Sequence, residues 1–308
     1  MTLRLALRTL CFITWIGTTS QTAEALSIHE TFTCEDVPRA DEIVEWSRLP
    51  GRRSYLIQAG DPFPDDLKEL TRLTGFDLLQ IETVRWPSDD TEAAWKQLAA
   101  MDVQFVARDV GGPTQPEIDR LNRIGFKKLH IILRAFPGVA DSAKLVQLRG
   151  GVSIGFSRGT FPRYEERDGI IALGGLIHTT YYTDLWPWYG HMDALNFLPQ
   201  SKSLHVTGLY PSAHHYEYLK AIQGLKDVTI DVEFEPSSAD EWKKFGTVPV
   251  QWVSNGRVPS AQAIKNFEAY PHAKRLVIKQ EYPLTADEVR RLTASRLPVE
   301  WIHSPQPE

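Results

Sequence analysis

Short runs that alternate apolar and polar residues recur along most of this chain, separated by stretches with helical spacing. A repeated pattern is an apolar pair at i, i+2 with a mostly apolar residue at i−3. Clear copies are Phe76/Leu79/Ile81, Ala100/Val103/Phe105, Phe126/Leu129/Ile131, Leu225/Val228/Ile230, Phe245/Val248/Val250, Ala273/Leu276/Ile278 and Ala294/Leu297/Val299. Val152/Ile154 and Leu204/Val206 fit with a weaker leading residue, Leu173/Leu176 is a degraded copy with His178 in third place, and Leu56 begins the first copy. Strands are therefore expected to start near 56, 79, 103, 129, 152, 176, 204, 228, 248, 276 and 297, eleven units in all. Period-two alternation of branched and aromatic residues reads as strand, and intervening stretches such as TEAAWKQLAAM read as short helices. Strand after strand with one helix between implies a parallel sheet.

Prolines mark the same period. They fall at 62, 87, 113, 137, 162, 187, 211, 236, 259 and 283, with gaps of 23 to 26 residues. Each follows a strand-like run and precedes a helix-like one, where proline ends the strand at no cost to a helix start. Thr114-x-x-Glu117, Ser238-x-x-Glu241 and Thr285-x-x-Glu288 have the spacing of reciprocal helix caps. A fixed period of this length is the signature of a stacked array.

Such an array could close into a (β/α) barrel or stay open as a solenoid. Eleven units differ from the eight of the common barrel, and a period of about 24 residues is shorter than the roughly 30 of a typical barrel of about 250 residues. The strand face opposite the apolar pairs is mostly polar: it carries Gln80, Gln104, His130, Ser153, His205, Thr229, Pro249, Val277 and Pro298, followed by Glu82, Val106, Ile132, Gly155, Thr207, Asp231, Gln251, Lys279 and Glu300. A barrel buries both sheet faces whereas an open solenoid leaves one wet, so this polar face predicts an open α/β solenoid. The repeated L-x-x-L-x-L pattern over roughly residues 53–303 resembles that of the leucine-rich-repeat family. The resemblance implies a strand-lined concave surface that binds other molecules. Residues 26–53 lack the pattern and read as an N-terminal cap, which leaves the final strand near 297 with an exposed edge that either Pro298 blunts or a partner covers.

Residues 1–25 have the three parts of a secretory signal: Arg4 and Arg8, an apolar stretch from Leu10 to Gly17, and a small-x-small site at Ala23-Glu24-Ala25. Export to the periplasm or the medium is expected. The apolar stretch is too short to span a bilayer, and no integral membrane segment is expected elsewhere. Loss of two arginines and one glutamate takes the formal charge from −5 to −6. With no Lys/Arg run longer than a pair, nucleic acid is excluded as an expected partner. Cys34 alone survives cleavage, so no internal disulfide can form.

Candidate chemistry is sparse, and no cofactor motif is present. Gly151-Val152-Ser153-Ile154-Gly155 matches the G-x-S-x-G nucleophile elbow letter for letter, but a helix-like run precedes it where the motif needs a strand, so no catalytic residue is assigned. His178, His191, His205, His214, His215, Asp184 and Asp193 crowd one window without the spacing of a metal motif. The densest aromatic segment, residues 179–192, offers Tyr181, Tyr182, Trp186, Trp188 and Tyr189 as a binding platform. Gln80, Gln104, His130, His205 and Asp231 on the polar strand face complete the expected site. Arg108, Asp109, Arg134, Arg158, Glu233, Glu235 and Glu281 lie at strand ends on one edge. In an open array they form a charged rim. The favoured function is non-enzymatic binding of a protein, peptide or glycan; the alternative is a barrel-like hydrolase using Glu82, Asp109, Glu233 and Glu235 as acid–base groups.

Overall fold

The structure, a computed structural model, describes residues 29–48, 53–101, 103–159, 161–174, 178–197, 201–208, 210–232, 236 and 238–303. The proposed leader lies outside them. Twelve strands are present among these residues: β1 (His29–Cys34), β2 (Arg53–Gly60), β3 (Leu78–Thr83), β4 (Val103–Val110), β5 (Lys128–Leu133), β6 (Gly151–Gly159), β7 (His178–Thr183), β8 (Ser201–Thr207), β9 (Leu225–Val232), β10 (Val250–Asn255), β11 (Ala273–Gln280) and β12 (Val299–His303). One α-helix follows each strand up to β11, and the helices take the same numbers: α1 (Ala40–Arg48), α2 (Pro64–Leu70), α3 (Glu92–Ala99), α4 (Gln115–Ile124), α5 (Val139–Leu145), α6 (Arg167–Ile171), α7 (Tyr189–Phe197), α8 (Ala213–Ala221), α9 (Ala239–Lys243), α10 (Ala261–Glu268) and α11 (Ala286–Thr293).

All neighbouring strands are parallel, and they form a closed barrel. This overturns the open solenoid. The eleven repeats lie where the alternation puts them, but a twelfth strand, β1, comes from residues read as a cap. It pairs with β2 on one side and β12 on the other, with Thr31 opposite both Ser54 and Ile302. The bare edge expected at the last strand is thereby covered by the chain itself.

The mostly polar strand face is compatible with closure because this barrel has twelve strands and not eight. In an eight-stranded barrel, inward side chains fill the interior. Twelve strands about 4.8 Å apart, at the tilt usual for barrels, make a ring roughly 24 Å across between backbones, which leaves some inward side chains only half-buried. Period-two alternation then sorts the residues. Leu79, Ile81, Val103 and Phe105 point outward and are buried against helices, joining Leu67, Leu70, Trp95 and Leu98 in one continuous core. Gln80 and Gln104, between them, face the lumen and are half-buried. Each buried Leu or Ile of the outer face contributes roughly 1.5–3 kcal/mol.

Local signals act as the sequence predicts at most helix ends. Glu117 accepts from the backbone N–H of Thr114 at 2.7 Å, Glu288 accepts from that of Thr285 at 2.8 Å, and Gly125 ends α4 in the left-handed conformation at φ 78°. Ser238 departs from this: it precedes α9 with extended backbone but makes no side-chain cap. The rail prolines sit in the loops after the strands, at the rim where the strands end. Nine of the ten are buried there, so they seal that end of the core as well as starting helices. The opposite rim is knitted by a polar ladder. Asn122 donates to Gln147 O at 3.0 Å and accepts from Arg149 N at 2.9 Å, and Asn196 makes the same pair of bonds to Ala221 O and Gln223 N. Glu268 accepts from Arg296 N at 2.7 Å in the equivalent place. No helix among the described residues is long and apolar enough to cross a membrane.

Candidate functional site

On the inner face of the sheet, residues of neighbouring repeats meet, and closure adds the seam contact of Thr31 with Glu300. On β3 and β4, Glu82 and Arg108 form an ion pair at 3.1 Å. On β5, His130 is held on both ring nitrogens: Nδ1 lies 2.6 Å from Ser153 Oγ of β6, and Nε2 lies 3.1 Å from Tyr182 Oη of β7. The second bond passes over Gly155 of β6, where a Cβ would stand 2.8 Å from Tyr182 Cε2 and 3.4 Å from His130 Nε2. Only glycine lets those two side chains meet.

The row continues through the Tyr182 and His205 rings, whose centroids are 5.3 Å apart. His205 Nε2 is 3.5 Å from Asp231 Oδ2, Lys279 Nζ is 2.9 Å from the same oxygen, and the Asn255 amide donates to Oδ1. Below it, Arg275 bonds Gln251 at 2.9 Å and Glu300 at 2.7 Å, and Thr31 donates to Glu300 at 3.1 Å across the closure. Polar groups thus line much of the lumen, interrupted by the buried apolar side chains Val106, Ile132, Val253 and Val277.

The electrostatics keep this belt partly charged and partly neutral. Burial pushes the Asp231 carboxyl up, but hydrogen bonds and charge from His205 and Lys279 outweigh it and hold the group at about 2. Tyr182 moves the other way: burial, with Arg108 opposing and Glu82 reinforcing, pushes the phenol up to about 12, so it remains a neutral donor and acceptor. Burial tends to lower the pKa of Arg108, and its pairing with Glu82 more than reverses that.

At the C-terminal mouth, β4 bulges opposite β5. Asp109 occupies the bulge at φ 53°, the sole non-glycine with positive φ among the described residues. Such a conformation costs of order 1–3 kcal/mol and collects at functional sites. Ser157 donates to its carboxylate. Asp109 borders a cleft of about 600 Å³ that Trp86, Gly111, Arg134, Phe136 and Asp141 also line. Around the same mouth Phe63, Tyr164, Trp188, Tyr189 and Tyr282 are each more than half exposed, all in loops or first turns that follow strands.

The expected aromatic platform is divided by this geometry. Tyr181 and Trp186 are buried in the core, Tyr182 enters the lumen, and Trp188 and Tyr189 stand exposed on the rim. Gln80, Gln104, His130, His205 and Asp231 all face the lumen. The strand-end charges ring a mouth where the open array had them along an edge: Arg108 turns into the lumen, Asp109 and Arg134 border the cleft, and Glu281 is exposed. The Arg158 side chain, Glu233 and Glu235 lie outside the described residues. Among the crowded histidines, His191 packs between Phe161 and Trp188, and His215 accepts from Ser212 N at 3.0 Å. No group of three or more His, Cys, Asp or Glu that could hold a metal occurs among the described residues. Arg275, Asn255 and the Ser153–His130–Tyr182 line escaped sequence reasoning, because each depends on how far side chains reach across neighbouring strands, in the last case over Gly155.

No family model, curated protein or solved structure matches this chain. The functional reading therefore rests on the site.

Proposed function

We propose that this is an exported carbohydrate-binding protein whose barrel lumen receives a sugar or short glycan through the C-terminal mouth. One observation carries the reading: the belt of alternating donors and acceptors from Glu82 and Arg108 through Ser153, His130, Tyr182 and His205 to Asp231 and Lys279. Sugar hydroxyls each donate and accept, and ligand sites place a few converging polar groups in a concavity. Stacking suits the rings present, since Tyr182 and His205 lie in the lumen and Trp188, Tyr189 and Tyr282 at its entrance, each able to cover an apolar sugar face. A folded protein is too wide for a lumen roughly 24 Å across between strand backbones, narrowed further by inward side chains. A glycan strand is not.

The leader-like residues 1–25 support delivery to the periplasm or medium. Saturation-transfer NMR of the chain beginning at Leu26 against mono- and oligosaccharides tests the reading. Transfer to a sugar that is lost on Tyr182→Ala supports it. A folded chain that binds no sugar, or that binds equally after that substitution, overturns it.

A further inference from the structure

The serine in the Gly151–Gly155 motif lacks the sharp strand-to-helix turn of a nucleophile elbow, because it sits inside β6 with strand on both sides. The barrel supplies what the elbow does not. Ser153 Oγ is 2.6 Å from His130 Nδ1, and the far nitrogen of the same ring is held by Tyr182 Oη at 3.1 Å. Ser153, His130 and Tyr182 are all half-buried on the lumen wall, with Ser153 near the N-terminal end of β6 and Tyr182 one residue short of the end of β7, towards the C-terminal mouth. Arg108 is close enough to Tyr182 for its charge to act on the phenol, so a cation stands on the same wall.

We propose that Ser153 is the nucleophile of a carboxylic-ester hydrolase, with His130 as its general base and Tyr182 as a positioning residue. That the substrate is an acylated sugar rests on the carbohydrate reading above; the chemistry of the three residues does not. With Nε2–H donating to Tyr182 Oη, the lone pair of Nδ1 faces Ser153. The seryl proton passes to Nδ1 as Oγ bonds to the ester carbonyl carbon. Collapse of the tetrahedral adduct breaks the bond to the alcohol oxygen, which leaves with the proton from Nδ1. Water then attacks the acyl-serine, giving one proton to Nδ1 and its oxygen to the acid; that proton returns to Oγ. Nucleophile, base and orienting third group are the parts that activation of a serine requires.

A fluorophosphonate probe and p-nitrophenyl acetate, applied to the chain beginning at Leu26, test this directly. Expected are a label that peptide mapping places on Ser153 and ester hydrolysis that falls at least about 100-fold in Ser153→Ala and in His130→Gln. Tyr182→Phe should lower kcat with little change in KM and move the acidic limb of the pH profile, which a structural role alone would not do. An unlabelled wild-type chain, a label on another residue, or a Ser153→Ala chain as active as wild type overturns the proposal, whether or not the His130 variant folds. Labelling at Ser153 without sugar binding would remove only the carbohydrate reading. Sugar binding without labelling would remove only the esterase.

Discussion

The hydroxyl of Thr31 donates to the carboxylate of Glu300 at 3.1 Å, joining the first strand to the last across 269 positions of sequence. Arg275 holds the other oxygen of Glu300 at 2.7 Å, so the seam is stitched on its lumen side. On the outer side Phe32 stacks on Tyr55 with centroids 5.7 Å apart.

The seam should therefore govern assembly as well as stability. Phe32→Ala is expected to cost about 3–5 kcal/mol in urea unfolding, as for other buried aromatics cut to alanine. Deleting residues 29–34 should expose the edges of β2 and β12 and shift size-exclusion elution towards larger, associating species relative to the undeleted chain. A deletion that leaves elution and unfolding unchanged would show that closure contributes nothing.

Gly155→Ala should separate His130 from Tyr182. The added methyl would lie 2.8 Å from Tyr182 Cε2, and overpacking of this kind costs about 1–3 kcal/mol. Gly111→Ala is the control, since no heavy atom lies within 4 Å of its added Cβ; it should stay within about 0.5 kcal/mol of wild type. Imidazole NMR signals of His130 should shift in the first variant and remain in place in the second.

Acid should weaken the barrel through Asp231. Its carboxyl is held at about 2 in the folded chain against an ordinary value of 3.8. A depressed folded value means the stabilisation is complete above about pH 4 and is lost as pH falls towards 2. Roughly 2 kcal/mol is at stake, because a tenfold difference in proton affinity between the folded and unfolded chain is worth about 1.4 kcal/mol. Asp231→Asn should flatten the stability curve between pH 4 and 2, measured by chemical denaturation at each pH. An unchanged slope would mean that other carboxylates carry the acid sensitivity.

The aromatic segment should divide under mutation as it does in space. Trp188→Ala and Tyr189→Ala, both exposed, are expected to leave stability within about 0.5 kcal/mol while weakening sugar binding. Tyr181→Ala and Trp186→Ala remove core rings and should cost about 3–5 kcal/mol. Thermal unfolding beside a binding titration would expose any variant that breaks this division.

Much of this arrangement is legible along the chain, and the reasons are local. Leu79 and Ile81 announce a strand because a pleated strand alternates its faces, and Thr114 with Glu117 announce a helix start because free N–H groups need acceptors. The inward set Gln80, Gln104, His130, His205 and Asp231 follows from the same alternation. The proximity of His130 to Tyr182 does not, since it crosses an intervening strand and depends on one missing Cβ at Gly155. Nor does the role of β1, whose HETFTC lacks the leading apolar residue of the other repeats and reads as a cap.

Period and polarity along the chain dictated a parallel strand–helix array with one apolar and one polar face, because both are properties of neighbours a few residues apart. Whether that array ended in two open edges or met itself was decided only in three dimensions. Closure depends on the accumulated twist and stagger of all the strands, and on one short strand whose partners stand at opposite ends of the sequence. That closure turned a mostly polar surface into an interior, on whose wall three successive strands bring a serine, a histidine and a tyrosine into contact.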